Sequence, residues 1–153
     1  MNTRVLRGLI GITLAGFAVF GVVACKRGRR APRVHVVAPH AAQADTAVYA
    51  WLALVDAGKA DQSLAATSSG FRSHMQLPEW TAELAKIRTP LGAVQKRTMT
   101  AAEPMAMLPG GVKGDFVGMQ FKTDFANKTG AVETIAVVHD TDGQWHVARY
   151  QLR

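Results

Sequence analysis

Near the end of the chain, Val132 to Leu152 reads as two strands joined by a tight turn at Asp140-Thr141-Asp142-Gly143. Val132, Thr134, Ile135, Val137 and Val138 precede the turn and Trp145, Val147, Tyr150 and Leu152 follow it. These β-branched and aromatic types suit a half-buried pleated surface. Asp115 to Phe125 alternates cleanly, with Val117, Met119, Phe121, Thr123 and Phe125 on one face and Gly118, Gln120, Lys122 and Asp124 on the other. The first face is expected in the core and the second at least partly wet. Val94 to Glu103 gives a less regular first strand that Pro104 closes, and Met105 to Gly114, with Pro109-Gly110-Gly111, gives a loop.

Upstream the period changes from two to that of a helix. Asp45 is expected to cap a helix running to about Ala57, with Val48, Trp51, Leu52 and Val55 on one face and Gly58 as the stop. Asp61 is expected to cap a short helix through Leu64 to Thr67, which Ser68-Ser69-Gly70 breaks, and Phe71 to Gln76 adds a further turn. Pro78 suits the first position of a longer helix in which Trp80, Leu84 and Ile87 recur at helical spacing and Thr89-Pro90 ends the run. The order is three helical segments and then four antiparallel strands: an α+β class with the helices on one face of a curved sheet.

The register of the last hairpin depends on its turn. Two-residue turns at Thr141-Asp142 or at Asp142-Gly143 give different partners, and only the second pairs His139 with His146. A three-residue loop with Gly143 in the left-handed conformation sets His139 against Trp145 and Val137 opposite Val147. This register is preferred because it groups the core residues on one face.

Charge modifies the picture less than its total suggests. The 153 residues carry a formal +7, but 7 of the 18 basic residues fall within 1–33, where there is no acid, and 34–153 holds 11 of each sign. The folded part is neutral and lacks a basic face interleaved with aromatics, which argues against nucleic acid as a partner. Length allows one domain with a substantial core.

The single cysteine, Cys25, closes the apolar run Gly8 to Ala24, which Arg4 and Arg7 precede. That is the layout of a secretory signal. Val22-Val23-Ala24-Cys25 resembles the lipobox of bacterial lipoproteins, and the resemblance implies a diacylglyceryl thioether on Cys25 and cleavage before it. As a helix the 17-residue run spans about 25 Å against a hydrocarbon core of about 30 Å, which favours cleavage. Lys26-Arg27-Gly28-Arg29-Arg30 resists export and keeps the rival open, an uncleaved N-terminal anchor. Either way the chain is tethered: 1–24 as signal or anchor, 25–43 as a basic, Pro-containing linker, 44–153 as the domain. His35 and His40 read as linker residues.

Four blocks carry a second resemblance: Trp51 to Gly58; Arg88-Thr89-Pro90-Leu91-Gly92-Ala93-Val94 with Arg97; Phe125-Ala126-Asn127-Lys128 with Val132-Glu133-Thr134; and Asp142-Gly143-Gln144-Trp145. In spacing and order they resemble the bacterial family called domain of unknown function 4019, over roughly Ala44 to Arg153. The resemblance implies a small, often exported domain with the nuclear transport factor 2-like or cystatin-like cone of helices on a curved sheet. It implies no known reaction, catalytic residue or cofactor.

No clustered nucleophile, base and orienting group is visible, so the leading expectation is a non-catalytic ligand- or protein-binding module of the cell envelope, facing the periplasm. Its partners would be the membrane, through lipid or helix, and an envelope protein or a second copy through the sheet. The alternative is a small-molecule enzyme, isomerase- or hydrolase-like, using the concave pocket, with Asp56, Asp124 and Tyr150 as candidates. A buried carboxylate within reach of Tyr150 would raise that reading, and an interior filled by Trp51, Trp80 and Phe121 would sink it. A metal at His139 and His146 has only two nitrogen ligands in sight and is not adopted.

Overall fold

The structure, a computed structural model, describes residues 39–153. Helices α1 (Pro39–Asp56), α2 (Ala60–Ala65), α3 (Ser69–Arg72) and α4 (Leu77–Arg88) precede strands β1 (Val94–Met107), β2 (Lys113–Phe125), β3 (Lys128–His139) and β4 (Trp145–Leu152). The strands form one open antiparallel sheet in sequence order. Among the described residues no helix is long and apolar enough to cross a membrane.

α1 starts at Pro39 rather than after Asp45, and so takes in the last five residues of the expected linker. Asp45 therefore lies inside the helix, where burial raises its carboxyl above the ordinary range. Its capping chemistry was an ambiguous signal, since Pro39 is equally suited to a first turn. Asp61 likewise sits in the first turn of α2, with Lys59 at the cap position. Ser68 does not break a helix but opens one, its hydroxyl accepting from the Phe71 N–H at the start of α3. α4 begins as expected, with Pro78 in its first turn and a capping box between Gln76 and Glu79.

β1 runs through Pro104 to Met107, so the loop shrinks to residues 108–112. Proline is tolerated there because β1 is an edge strand with no further neighbour among the described residues to receive its missing N–H. The opposite edge is partly covered: Thr67 bridges to Val147, and the Ser68 N–H donates to the Val147 carbonyl at 2.8 Å. In the last hairpin His139 opposes Trp145 and Val137 opposes Val147, with Gly143 at φ 77°. That is the register expected from a three-residue loop, in which only a residue at ease with positive φ closes the turn.

The helices cover one face of the sheet. Val48, Trp51 and Leu52 of α1 and Trp80 and Leu84 of α4 pack on Val117, Met119 and Phe121, and on Ile135, Val137 and Val147. Burying Phe121 and Ile135, both 0 % exposed, stabilises the fold by about 1.5–3 kcal/mol each. The indole N–H groups of Trp51 and Trp80 both donate to Ser63, to its carbonyl at 2.8 Å and its hydroxyl at 2.9 Å. This fixes α2 against the two longer helices without leaving a polar group unpaired.

Candidate functional site

Beneath α1 the apolar face carries charge. Glu133 is on β3 at the same parity as Ile135 and Val137, and is 0 % exposed. A lone carboxylate there would be costly, and it is not alone. Its Oε1 accepts from Arg97 Nε at 2.7 Å and Thr123 Oγ1 at 2.6 Å, and its Oε2 from the Tyr150 hydroxyl at 2.9 Å and Arg88 Nη1 at 3.2 Å. Four donors meet the four lone-pair positions that a carboxylate offers.

The same two guanidiniums continue to Asp56. Arg97 holds it through Nη1 at 2.7 Å and Nη2 at 3.0 Å, and Arg88 Nη2 donates to Asp56 Oδ1. Asp56 ends α1, where the exposed carbonyls disfavour an anion, so the two cations offset an adverse helix-end position. Arg88 ends α4, where its charge is favourable, and lies 4.8 Å above the Phe125 ring. Burial works against the charge on Arg97, but the hydrogen bonds to Asp56 and Glu133 hold its ionisation above the ordinary range. For the Tyr150 phenol burial acts the other way and, with the Glu133 carboxylate after it, pushes the group up.

The network draws on α1, α4 and all four strands, and two acids face two guanidiniums. It joins Asp56 and Tyr150 through Arg88. Asp124, the third candidate, is elsewhere: it faces the other side of β2 and accepts from the Gly130 N–H at 2.7 Å, pinning the β2–β3 turn. Both tests set by the sequence return an answer. A buried carboxylate is within reach of Tyr150, and Trp51, Trp80 and Phe121 fill the interior beside it. Every acceptor position of Glu133 is already occupied, whereas a general base needs a free one.

A hollow lies at the far end of the sheet, between α3 and the tip of the β1–β2 hairpin. It measures about 490 Å³. Phe71 and Met75 line it from the α3 side, Leu108 and Val112 from the hairpin tip, and Phe116 and Val138 from the strands. Its polar lining includes Ser69, His74, Lys113 and Asp140. Serine, histidine and aspartate are the residue types of a hydrolytic triad, but here Asp140 accepts the Ser69 hydroxyl directly at 3.1 Å and no hydrogen bond joins His74 to either. The relay that activates a serine is therefore not assembled.

His139 and His146 do not converge. His139 stacks on Trp145, its Nε2 3.1 Å from the Gly143 carbonyl, whereas His146 lies between the Ala66 carbonyl at 3.3 Å and Asp142 Oδ2 at 2.8 Å. Among the described residues no three His, Cys, Asp or Glu side chains come together as a metal site. Cys25 with Val22, Val23 and Ala24, and His35 in the linker, lie outside the described residues.

Residues 47–150 match the family described as Protein of unknown function (DUF4019), and the chain belongs to it. No curated protein and no solved structure matches the chain. Two of the quoted blocks meet at one corner. Gly92, at φ +73°, has the Ala126 Cβ at 3.1 Å from where its own side chain would begin. Asn127 then donates to the Pro90 carbonyl at 3.1 Å. The Arg88, Arg97 and Glu133 of those blocks are the network itself, a role that the resemblance did not supply.

Proposed function

We propose that the chain is a lipoprotein of a bacterial cell envelope, tethered through Cys25, whose domain is a non-catalytic binding module of nuclear transport factor 2-like or cystatin-like architecture, facing the periplasm. One observation carries the binding half. Glu133, the buried carboxylate beside Tyr150, has every acceptor position taken, while an apolar cleft of the size of small-molecule sites stands open at α3. The tether rests on Val22-Val23-Ala24-Cys25 after a basic start and an apolar run.

The experiment is the intact mass of full-length protein extracted from the membranes of a bacterium expressing it. Loss of residues 1–24 together with added acyl mass is expected. An unlipidated chain that keeps Met1 to Ala24 would replace the lipid by an N-terminal anchor and leave the side of the membrane open.

A further inference from the structure

The cleft at α3 has a chemical bias that its shape alone does not reveal. Its walls are aromatic and aliphatic, and Val112 at its mouth is 59 % exposed, so apolar surface is held in water there. A ligand that covered it would recover that cost. The charged groups around it are unequal in what they have left to offer. Asp140 is spent: its carboxylate accepts from the Ser69 N–H at 2.8 Å, the Ser69 hydroxyl and the Thr141 N–H at 2.8 Å. Those bonds, the Ser69 amide first, hold its carboxyl at about 2. Ser68 is spent as well, as the cap of α3. Lys113 has no ion pair or hydrogen bond from its side chain among the described residues, and neither has His74. The lining is formally neutral, Lys113 against Asp140, but of these two the group with hydrogen-bonding capacity left to offer is the Lys113 ammonium.

We infer that this cleft binds a single-chain fatty carboxylate, its hydrocarbon between Phe71, Met75, Leu108 and Phe116 and its anionic end at Lys113. The inference rests on the binding-module reading and names the ligand class. A flat basic patch would attract any anion and a neutral groove any hydrocarbon. The combination of an apolar lining with one unpaired ammonium selects a molecule that has both parts.

The test uses the full chain in nanodiscs of zwitterionic lipid, labelled in its methionine methyl groups and followed by NMR. It is titrated with octanoate, decanoate and dodecanoate and with the alcohols of equal length, with empty nanodiscs correcting for partition into lipid. The Met75 methyl signal should move saturably, and affinity for the carboxylates should rise about fourfold per added methylene until the cleft is full. Lys113→Gln should weaken the carboxylates about three- to tenfold and leave the alcohols unchanged. Equal binding of alcohol and carboxylate, indifferent to Lys113→Gln, would overturn the anion assignment while leaving a ligand cleft in place. No saturable movement of Met75 with any chain would overturn the assignment and the binding-module reading together.

Discussion

The two ends of the sheet treat polar groups in opposite ways. Under α1, Glu133 is enclosed and every acceptor position it offers has a donor, with Trp51 packed edge-on against Tyr150 at 5.1 Å between ring centres. At α3, apolar walls meet water and the Lys113 ammonium makes no ion pair among the described residues. A closed, satisfied network contributes order and stability, and it leaves nothing with which to hold a guest. An open hollow with one unspent charge contributes little to stability and retains the capacity to bind. The contrast separates the residues that keep this fold from those available for its work.

Three substitutions sharpen that contrast. Glu133→Ala should have the largest effect, because it leaves two buried guanidiniums sharing only Asp56. Urea unfolding should show a loss of about 3–5 kcal/mol. A loss below about 1 kcal/mol would mean that the network is not what closes this end of the domain. Tyr150→Phe keeps the ring against Trp51 and removes one donor from Glu133, for which about 1–2 kcal/mol is expected in the same assay. At the cleft, Asp140→Asn should cost stability near neutral pH and cost nothing in acid. The Asp140 carboxyl is lowered from 3.8 to about 2 in the folded state, so its contribution is present above the unfolded value and is lost as pH falls from about 4 towards 2. Because the group is exposed, that contribution is under about 1 kcal/mol. A pH series of thermal unfolding should bring wild type and variant together at the acid end, and a gap that persists at pH 2 would contradict it.

Alternation made much of the sheet legible. The hairpin register followed from gathering Val137, Val147 and Trp145 on one face, and Gly143 supplied the positive φ that the loop needs. Pro104 misled because an edge strand and a strand end look alike until the strand order is known. Asp56 and Tyr150 were visible as candidates, but their partners were not. Glu133 did leave a signal: it shares parity with Ile135 and Val137, and a charge at a core position of a strand asks for a partner. Arg97 and Arg88 answer it from 36 and 45 residues away, a distance over which local pattern carries no information. The cleft was hidden for a related reason, since it exists only where α3 meets the tip of a hairpin.

The sequence spans within the network also bear on how the domain comes apart. Arg88 reaches Asp56 across 32 residues and Tyr150 across 62, and Arg97 reaches Asp56 across 41. Such a cluster closes only when both long helices and all four strands have docked, after the chain has met most of its loop-closure cost. Interactions made that late are weak or missing at the folding barrier, so they slow escape from the native state more than they speed arrival. For the Glu133→Ala protein the loss should accordingly fall mainly on the unfolding limb of the kinetics. The network is then a lock on the folded domain, and its value is measured in lifetime.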